Sequence, residues 1–475
     1  MHEWTDATKS LAADVIAYAT DRIHLDPVPL DGPRTPEELA AEVGSTITPE
    51  GIGGSEALRV FAEVLAPACI SIDHPRYFSF IPCAPTPAST LFDLVVSASS
   101  LYGGSWLEGA GAVFAENQAL RWLADLAGFP DGAGGVFVQG GTLGNVSALI
   151  AARHNARRDL TSRGIEQPPR WAVAASVEAH SSITSTAAAM DVELLAVEPD
   201  EQGRLTGPAL EATLAAERRS GSGRRPFAVV ATAGTTNLGI VDDLAGVVSV
   251  ARQEGLWAHV DAAYGGAGMA APSVRHLYAG IEQADSFVVD PHKWLFAPFD
   301  CAALLYRDPD KARAAHVQHA GYLEPLRTGD DWSPSDYALH LTRRARGLPF
   351  WFSLACFGTT AYTTAIERTL AVARYATGRI RELPYLELVA EPMLSVVAFR
   401  RLGWREADYY EWSRRLLASG QAFVVPTTHQ REVVLRIAIV NPRSSEADVD
   451  IVLDSLGAEN GTGQLGAPGV AAGAG

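Results

Sequence analysis

Apolar side chains in the first 75 or so residues recur at helical spacing, as at Leu11, Val15, Tyr18 and Ile23. Pro27 and Pro29 then separate this helix from a second one. The second begins at Thr35-Pro36-Glu37-Glu38, which supplies a hydroxyl cap, a proline at the first helical position and a glutamate placed to reach back to the cap amide. Nothing in this segment suggests chemistry.

From about Tyr77 to Tyr306 the period changes. Short apolar, β-branched runs at Val136–Gln139, Trp171–Ala175, Val192–Val197, Phe227–Ala231, Leu256–Val260, Ser286–Val289 and Ala302–Tyr306 alternate with helical stretches such as Thr142–Arg163 and Asp243–Glu254. Gly, Asn or Asp follows most of the runs. This pattern predicts an α/β unit with a largely parallel sheet, helices on both faces and ligands at the carboxyl ends of the strands.

Residues 321–335 are polar and turn-rich, too long for an ordinary connection, and read as a functional loop or a locally disordered one. After Arg343 a long helix is predicted through Thr369, followed by strands at Leu394–Phe399 and Val433–Ile439 and a closing helix capped by Ser445-Glu446-Ala447-Asp448. The expected division is a helical segment over 1–75, a large α/β domain over 76–355, a smaller α+β domain over 356–456, and a Gly/Ala-rich disordered tail over 457–475.

Composition narrows the function. With 475 residues, 47% hydrophobic and 20% charged, the chain is a folded protein of two or three packed units, so a site between domains is available. A net charge of −17 repels phosphate backbones and argues against nucleic acid as a partner. No apolar run approaches the roughly 20 residues needed to span a bilayer. The first ten residues carry Glu3, Asp6 and Lys9 without a signal core, so a cytoplasmic location is expected. Cys69, Cys83, Cys301 and Cys356 form no CxxC pair and read as reduced, mostly packed thiols. The only lysines are Lys9, Lys293 and Lys311, which nearly enumerates the candidates for any amine chemistry.

Asp290-Pro291-His292-Lys293-Trp294 directly follows a predicted strand. A lysine at the mouth of a parallel sheet, flanked by Trp294, Leu295 and Phe296, is expected to be partly desolvated, which frees its amine to attack an aldehyde. A solvated loop lysine is the plain alternative. Asp261 ends the run Leu256–Val260, where a buried carboxylate needs a cation or hydrogen-bond donors. The pyridinium nitrogen of pyridoxal phosphate (PLP) is such a cation, and Ala263 would leave room for a flat ring. Standing alone, Asp261 reads first as a cap for the following turn.

Gln139-Gly140-Gly141-Thr142-Leu143-Gly144-Asn145 joins a strand to a helix, where glycines and free amides suit a phosphate or form an ordinary tight turn. His180, in Glu178-Ala179-His180-Ser181-Ser182, could stack on a pyridine ring or be structural; Ala233-Gly234-Thr235-Thr236-Asn237 offers hydroxyls or turn caps. His316-Val317-Gln318-His319 has the spacing of a metal pair but no third ligand, and surface histidines explain it better, so no metal is expected. The order of the other features, each after an apolar run, points to one crevice.

Those residues resemble the PLP-dependent group II decarboxylases, especially the aromatic-L-amino-acid decarboxylase branch. The resemblance extends from His74-Pro75-Arg76-Tyr77-Phe78 to Leu435-Arg436-Ile437-Ala438-Ile439-Val440-Asn441-Pro442-Arg443. It implies the aspartate-aminotransferase-like fold (fold type I) and an obligate homodimer with the active site at the interface, each N-terminal segment wrapped over the partner. It also implies that Lys293 forms the imine link to the cofactor, Asp261 pairs with the ring nitrogen, and His180 stacks opposite Ala263. Gly141 and Thr142 would hold phosphate, Thr236 would lie near the ring's oxygen side, and His292 would sit beside the phosphate or the imine.

The side-chain pocket would be lined by Phe78, Phe80, Ile81, Pro82 and Trp106, an aromatic wall suited to an aromatic substrate. In the family a loop tyrosine helps protonate the reacting carbon; Tyr337, in Asp336-Tyr337, resembles it, with Tyr322 as the fallback. Two departures stand out: Cys83 where the aromatic branch has a hydroxyl residue, and Asp290 where it has asparagine. The implied reaction is decarboxylation of an aromatic L-amino acid to the amine and carbon dioxide. The competing expectations are an aldehyde product formed with oxygen, other carbon–carbon lyase chemistry, and a non-catalytic PLP-fold binding protein.

Overall fold

The alternating apolar runs become the strands of one sheet in the computed structural model, which describes residues 2–321 and 331–457. In chain order these are β1 (Gly134–Val138), β2 (Arg170–Ser176), β3 (Glu193–Val197), β4 (Arg224–Thr232), β5 (Trp257–Asp261), β6 (Ser286–Val289) and β7 (Ala302–Tyr306), arranged β1-β7-β6-β5-β4-β2-β3. Strands β3, β2, β4, β5 and β6 run parallel. Strand β7 is antiparallel to both its neighbours, β6 and β1. The carboxyl ends of β1, β2, β4, β5 and β6 therefore open on the same edge.

Both faces are covered, as the uninterrupted apolar runs require. Alternation sends Val229, Ala231, Ala258, Val260, Phe287 and Val289 into one core cluster. Val230, Trp257 and Val288 enter a second cluster with Ala148, Leu149 and Ala152 of the helix Gly141–Ser162. That helix faces the site described below.

A second sheet, β8 (Leu386–Leu388), β9 (Val396–Arg401), β10 (Thr427–His429) and β11 (Glu432–Ala438), is antiparallel in the order β10-β11-β9-β8. Its core joins Val397, Phe399, Trp412, Leu435 and Ile437 to Phe78. The predicted strands correspond to β9 and β11, while β8 and β10 are too short, at three residues each, for periodicity to register. The long helix is Leu348–Glu382 and outruns its predicted end at Thr369; Gly358, at φ 72°, breaks it.

The capping box at Thr35 and Glu38 forms as the residues spell it, at the start of Pro36–Val43. Ser445 and Asp448 exchange reciprocal hydrogen bonds at the closing helix, Ser445 N–H donating to Asp448 Oδ2 at 2.9 Å. Helix Asp6–His24 buries none of its residues. Cys83 and Cys301 are packed, but Cys69 and Cys356 are exposed, a correction to the expectation of mostly packed thiols. The expected disordered tail lies outside the described residues from 458 onward. No helix among the described residues is long and apolar enough to cross a membrane.

Candidate active site

At the shared strand edge lies a cavity of about 450 Å³. Its floor is made of residues that immediately follow strands: Gly141 and Thr142 after β1, His180 after β2, Thr236 after β4, Asp261 and Ala263 at and after β5, and His292 and Lys293 after β6. Phe80 and Ile81 close it from above, beside Val425–Thr427 and Arg436 from the second sheet. A parallel bridge between Tyr77 and Phe423 brings those two chain segments together.

Lys293 Nζ lies 3.0 Å from Asp290 Oδ2, with a quarter of the lysine side chain exposed. The surroundings differ from those its neighbours in sequence suggested. Trp294, Leu295 and Phe296 turn into the core, where Trp294 stacks on Tyr264 at 5.3 Å and donates to Thr369 Oγ1 at 2.9 Å. The amine is thus met by a carboxylate rather than by those apolar flanks.

Asp290 Oδ2 also accepts the Gly141 backbone N–H at 3.2 Å, while Oδ1 is buried without a partner. His292 lies 3.6 Å from the same carboxylate, and burial pushes its pKa down. Its Nδ1 contacts Cys301 through both backbone groups, at 2.8 and 3.0 Å.

Asp261 is 5% exposed. Its oxygens accept from Asn145 Nδ2 at 2.9 Å and from the Ala263 backbone N–H at 3.1 Å, both neutral donors. His180 caps the helix Ser181–Ala189 through Nδ1, which accepts the Ser182 N–H at 3.1 Å and meets Ser182 Oγ at 2.9 Å.

Sequence reasoning missed Arg436. It is 4% exposed and donates to the backbone oxygens of Phe80, at 2.7 and 3.0 Å, and of Thr236, at 3.3 Å. No carboxylate pairs with it among the described residues, and burial pushes its pKa down to about 10. Its only sequence signal was a charge inside the apolar strand β11.

Several expected residues lie elsewhere. Phe78 belongs to the core of the second sheet, and Pro82 and Trp106 do not line the cavity. Tyr337 is buried with its ring stacked on Trp332 at 3.9 Å and 10°, on the side of Val138 and Tyr306, and it too lies outside the cavity lining. Tyr322 falls outside the described residues. Cys83 donates to the Ala297 oxygen at 2.9 Å and lines a separate apolar cavity of about 800 Å³. His316 is buried and donates to the Ser147 oxygen at 3.0 Å. Among the described residues no group of three His, Cys, Asp or Glu side chains could hold a metal.

The residues present fit a flat cationic ring bearing an aldehyde and an anionic tail. Asp261 is a buried carboxylate without a cationic partner, and a charge so placed calls for one. Gly141 opens the helix Gly141–Ser162, and a Cβ there would sit 3.0 Å from Ala263 Cβ and 3.1 Å from Asp290 Oδ2. Only glycine leaves that approach clear, at a helix start suited to an anion.

Known proteins agree with this chemistry. Residues 55–402 match the family model for the pyridoxal-dependent decarboxylase conserved domain. The chain is 33% identical over 418 residues to an L-2,4-diaminobutyrate decarboxylase of Rhizobium meliloti, covering 85% of this chain and 82% of that one. It is 27% identical over 438 residues to an aromatic-L-amino-acid decarboxylase of Bacillus atrophaeus, covering 90% and 89%. The crystal structure of Oryza sativa TDC with PLP and tryptamine superposes with a TM-score of 0.88 at 25% identity, over 96% of this chain and 98% of that one.

Proposed function

The chain belongs to the pyridoxal-dependent decarboxylase family and is a PLP-dependent amino-acid decarboxylase, and from that premise we propose that its substrate is an aromatic L-amino acid, released as the amine and carbon dioxide. One observation carries the site assignment: the amine of Lys293 and the buried, cation-less carboxylate of Asp261 line the same cavity. The aromatic preference is supported by Phe80, Ile81, Val425 and Pro426, which make one wall apolar.

When bound, PLP supplies an aldehyde for Lys293 and a protonated ring that accepts electrons from the breaking bond. Asp261 would hold the ring nitrogen protonated. Gly141, Thr142 and the following helix amides would hold the phosphate, with His292 at the same end of the cavity, and Thr236 would offer its hydroxyl to the ring's oxygen. His180 and Ala263, which both line the cavity, would hold the ring between them. Asp290 receives the lysine ammonium whenever Lys293 is free of the cofactor. Arg436, held in place by the carbonyl oxygens of Phe80 and Thr236, would orient a substrate carboxylate.

For the proton returned to carbon we propose Tyr322 rather than Tyr337, because Tyr337 packs against Trp332 away from the cavity. A homodimer is supported by the helix Pro87–Ala98, which leaves the neighbouring Leu91, Leu94 and Val95 about half exposed on one face.

The test is a panel of L-amino acids assayed for carbon dioxide, amine, aldehyde and oxygen uptake. Aromatic substrates are expected to exceed 2,4-diaminobutyrate and histidine by at least about tenfold in kcat/KM, a difference that apolar contacts supply readily. Preference for either of those polar substrates overturns the aromatic reading. Stoichiometric oxygen uptake with aldehyde overturns the amine product.

A further inference from the structure

Behind Asp261 the second row of side chains has a definite direction. Strand alternation puts Trp257, His259 and Asp261 on the same side of β5, facing the helix that carries Asn145. Ser286 stands beside His259 on β6, where the two are register partners.

A carboxylate only accepts, so the group of Asn145 lying 2.9 Å from Asp261 Oδ2 is its amide nitrogen. The amide oxygen then faces His259 Nε2 at 2.9 Å, and this histidine nitrogen must carry the proton. His259 Nδ1 is left to accept from Ser286 Oγ at 2.8 Å, and Ser286 Oγ in turn accepts Trp257 Nε1–H at 2.8 Å. His259 is fully buried, and burial pushes its pKa down to about 4 against the opposing pull of Asp261, so the ring stays neutral with this one tautomer.

The same amide nitrogen reaches a second partner. Asn145 Nδ2 donates to Ser182 Oγ at 3.0 Å, and Ser182 Oγ donates to His180 Nδ1 at 2.9 Å. His180 Nδ1 already accepts the Ser182 backbone N–H, so its ring proton is on Nε2. One amide thereby sets the orientation of both Asp261 and His180. If it rotated by half a turn, its oxygen would face the carboxylate at hydrogen-bond distance, and the Ser182 hydroxyl would be drawn to that oxygen and away from His180 Nδ1.

We infer that Asn145 is a positioning residue: oriented by the Trp257–Ser286–His259 chain, it aims the Asp261 carboxylate at the cofactor's ring nitrogen and, through Ser182, steadies the His180 ring. This rests on the assignment of Asp261 to the ring nitrogen. The motif containing Asn145 suggested only a phosphate loop or a turn, and nothing in its spacing pointed to Asp261.

The test compares binding of PLP with binding of its 1-deaza analogue, which has carbon in place of the ring nitrogen, by fluorescence titration of the apoenzyme. The wild type is expected to prefer PLP by at least about tenfold, as for a charge-assisted hydrogen bond. Asn145→Ala should cut that preference to about threefold or less while binding the deaza analogue within about twofold of the wild type, since the analogue never used the aimed carboxylate. His259→Leu leaves Asn145 in place but removes the donor that orients it, and should lose the preference too. His259→Gln, which still presents an N–H to the amide oxygen, should retain it. A preference unchanged in both Asn145→Ala and His259→Leu, or equal weakening of both ligands, overturns the inference. No preference in the wild type overturns the Asp261 assignment itself.

Discussion

Lys293 and Asp290 share an ion pair at 3.0 Å, through the same carboxylate oxygen that takes the Gly141 amide where a phosphate would be held. Asp290 therefore competes with the cofactor's anion for that amide and sets a negative charge beside it.

Asp290→Asn should consequently bind PLP about fivefold more tightly, since one like charge within a few ångströms of a phosphate costs on the order of 1 kcal/mol in a partly solvated site. Fluorescence titration measures it. Weaker binding would mean that holding the Lys293 ammonium matters more than the repulsion.

Tyr322→Phe is expected to slow amine formation by about a hundredfold, the scale of a lost general acid, and to raise the share of aldehyde formed with oxygen. Tyr337→Phe should leave the product ratio unchanged, because that ring is stacked against Trp332 in the core. Product analysis by chromatography distinguishes them; the reverse pattern returns the donor role to Tyr337.

Arg343 is fully buried and grips Glu116 through two bonds of 2.7 and 2.8 Å, while Glu116 Oε1 also accepts the Gly347 N–H at 2.8 Å. Glu116→Ala strands that guanidinium and should cost about 3–5 kcal/mol of stability. Adding Arg343→Met should restore much of it. Urea denaturation of the two variants gives the comparison, and a single variant within 1 kcal/mol of the wild type, roughly the cost of an ordinary surface change, contradicts it.

Acid should destabilise the fold through its buried histidines. Burial pushes the pKa of His316 from 6.5 down to about 4, and His74 and His340 shift in the same direction. The folded protein binds fewer protons than the unfolded chain between those values. Stability present above about pH 6.5 is therefore lost as the pH falls through about 4. His316→Gln keeps a donor for the Ser147 oxygen and should remove about 3 kcal/mol of the loss between pH 7 and pH 4. An unchanged pH dependence of the denaturation midpoint would contradict it.

Much of this was legible in the chain. Strand-length apolar runs ending in Asp261 or leading to His180 and Lys293 pointed to the sheet edge where the cavity lies, because a parallel sheet buries both faces and exposes its carboxyl ends. Arg436 was not legible: it arrives from the second sheet, and a charged residue in a strand does not announce which cavity it faces. Trp294 and Phe296 misled for a related reason, since adjacency to Lys293 in sequence says nothing about the side of the backbone they occupy. Tyr337 does follow a short turn in irregular chain, but its ring stacks on Trp332 and does not line the cavity, which its position in the sequence does not foretell.

The most direct test uses the scarcity of lysine. Borohydride reduction of the PLP-loaded enzyme, followed by peptide mapping, should leave a stable pyridoxyl label on Lys293 and none on Lys9 or Lys311, with Lys293→Ala unlabelled and inactive. A label on either of the other lysines, or activity and labelling that survive in Lys293→Ala, would contradict the account.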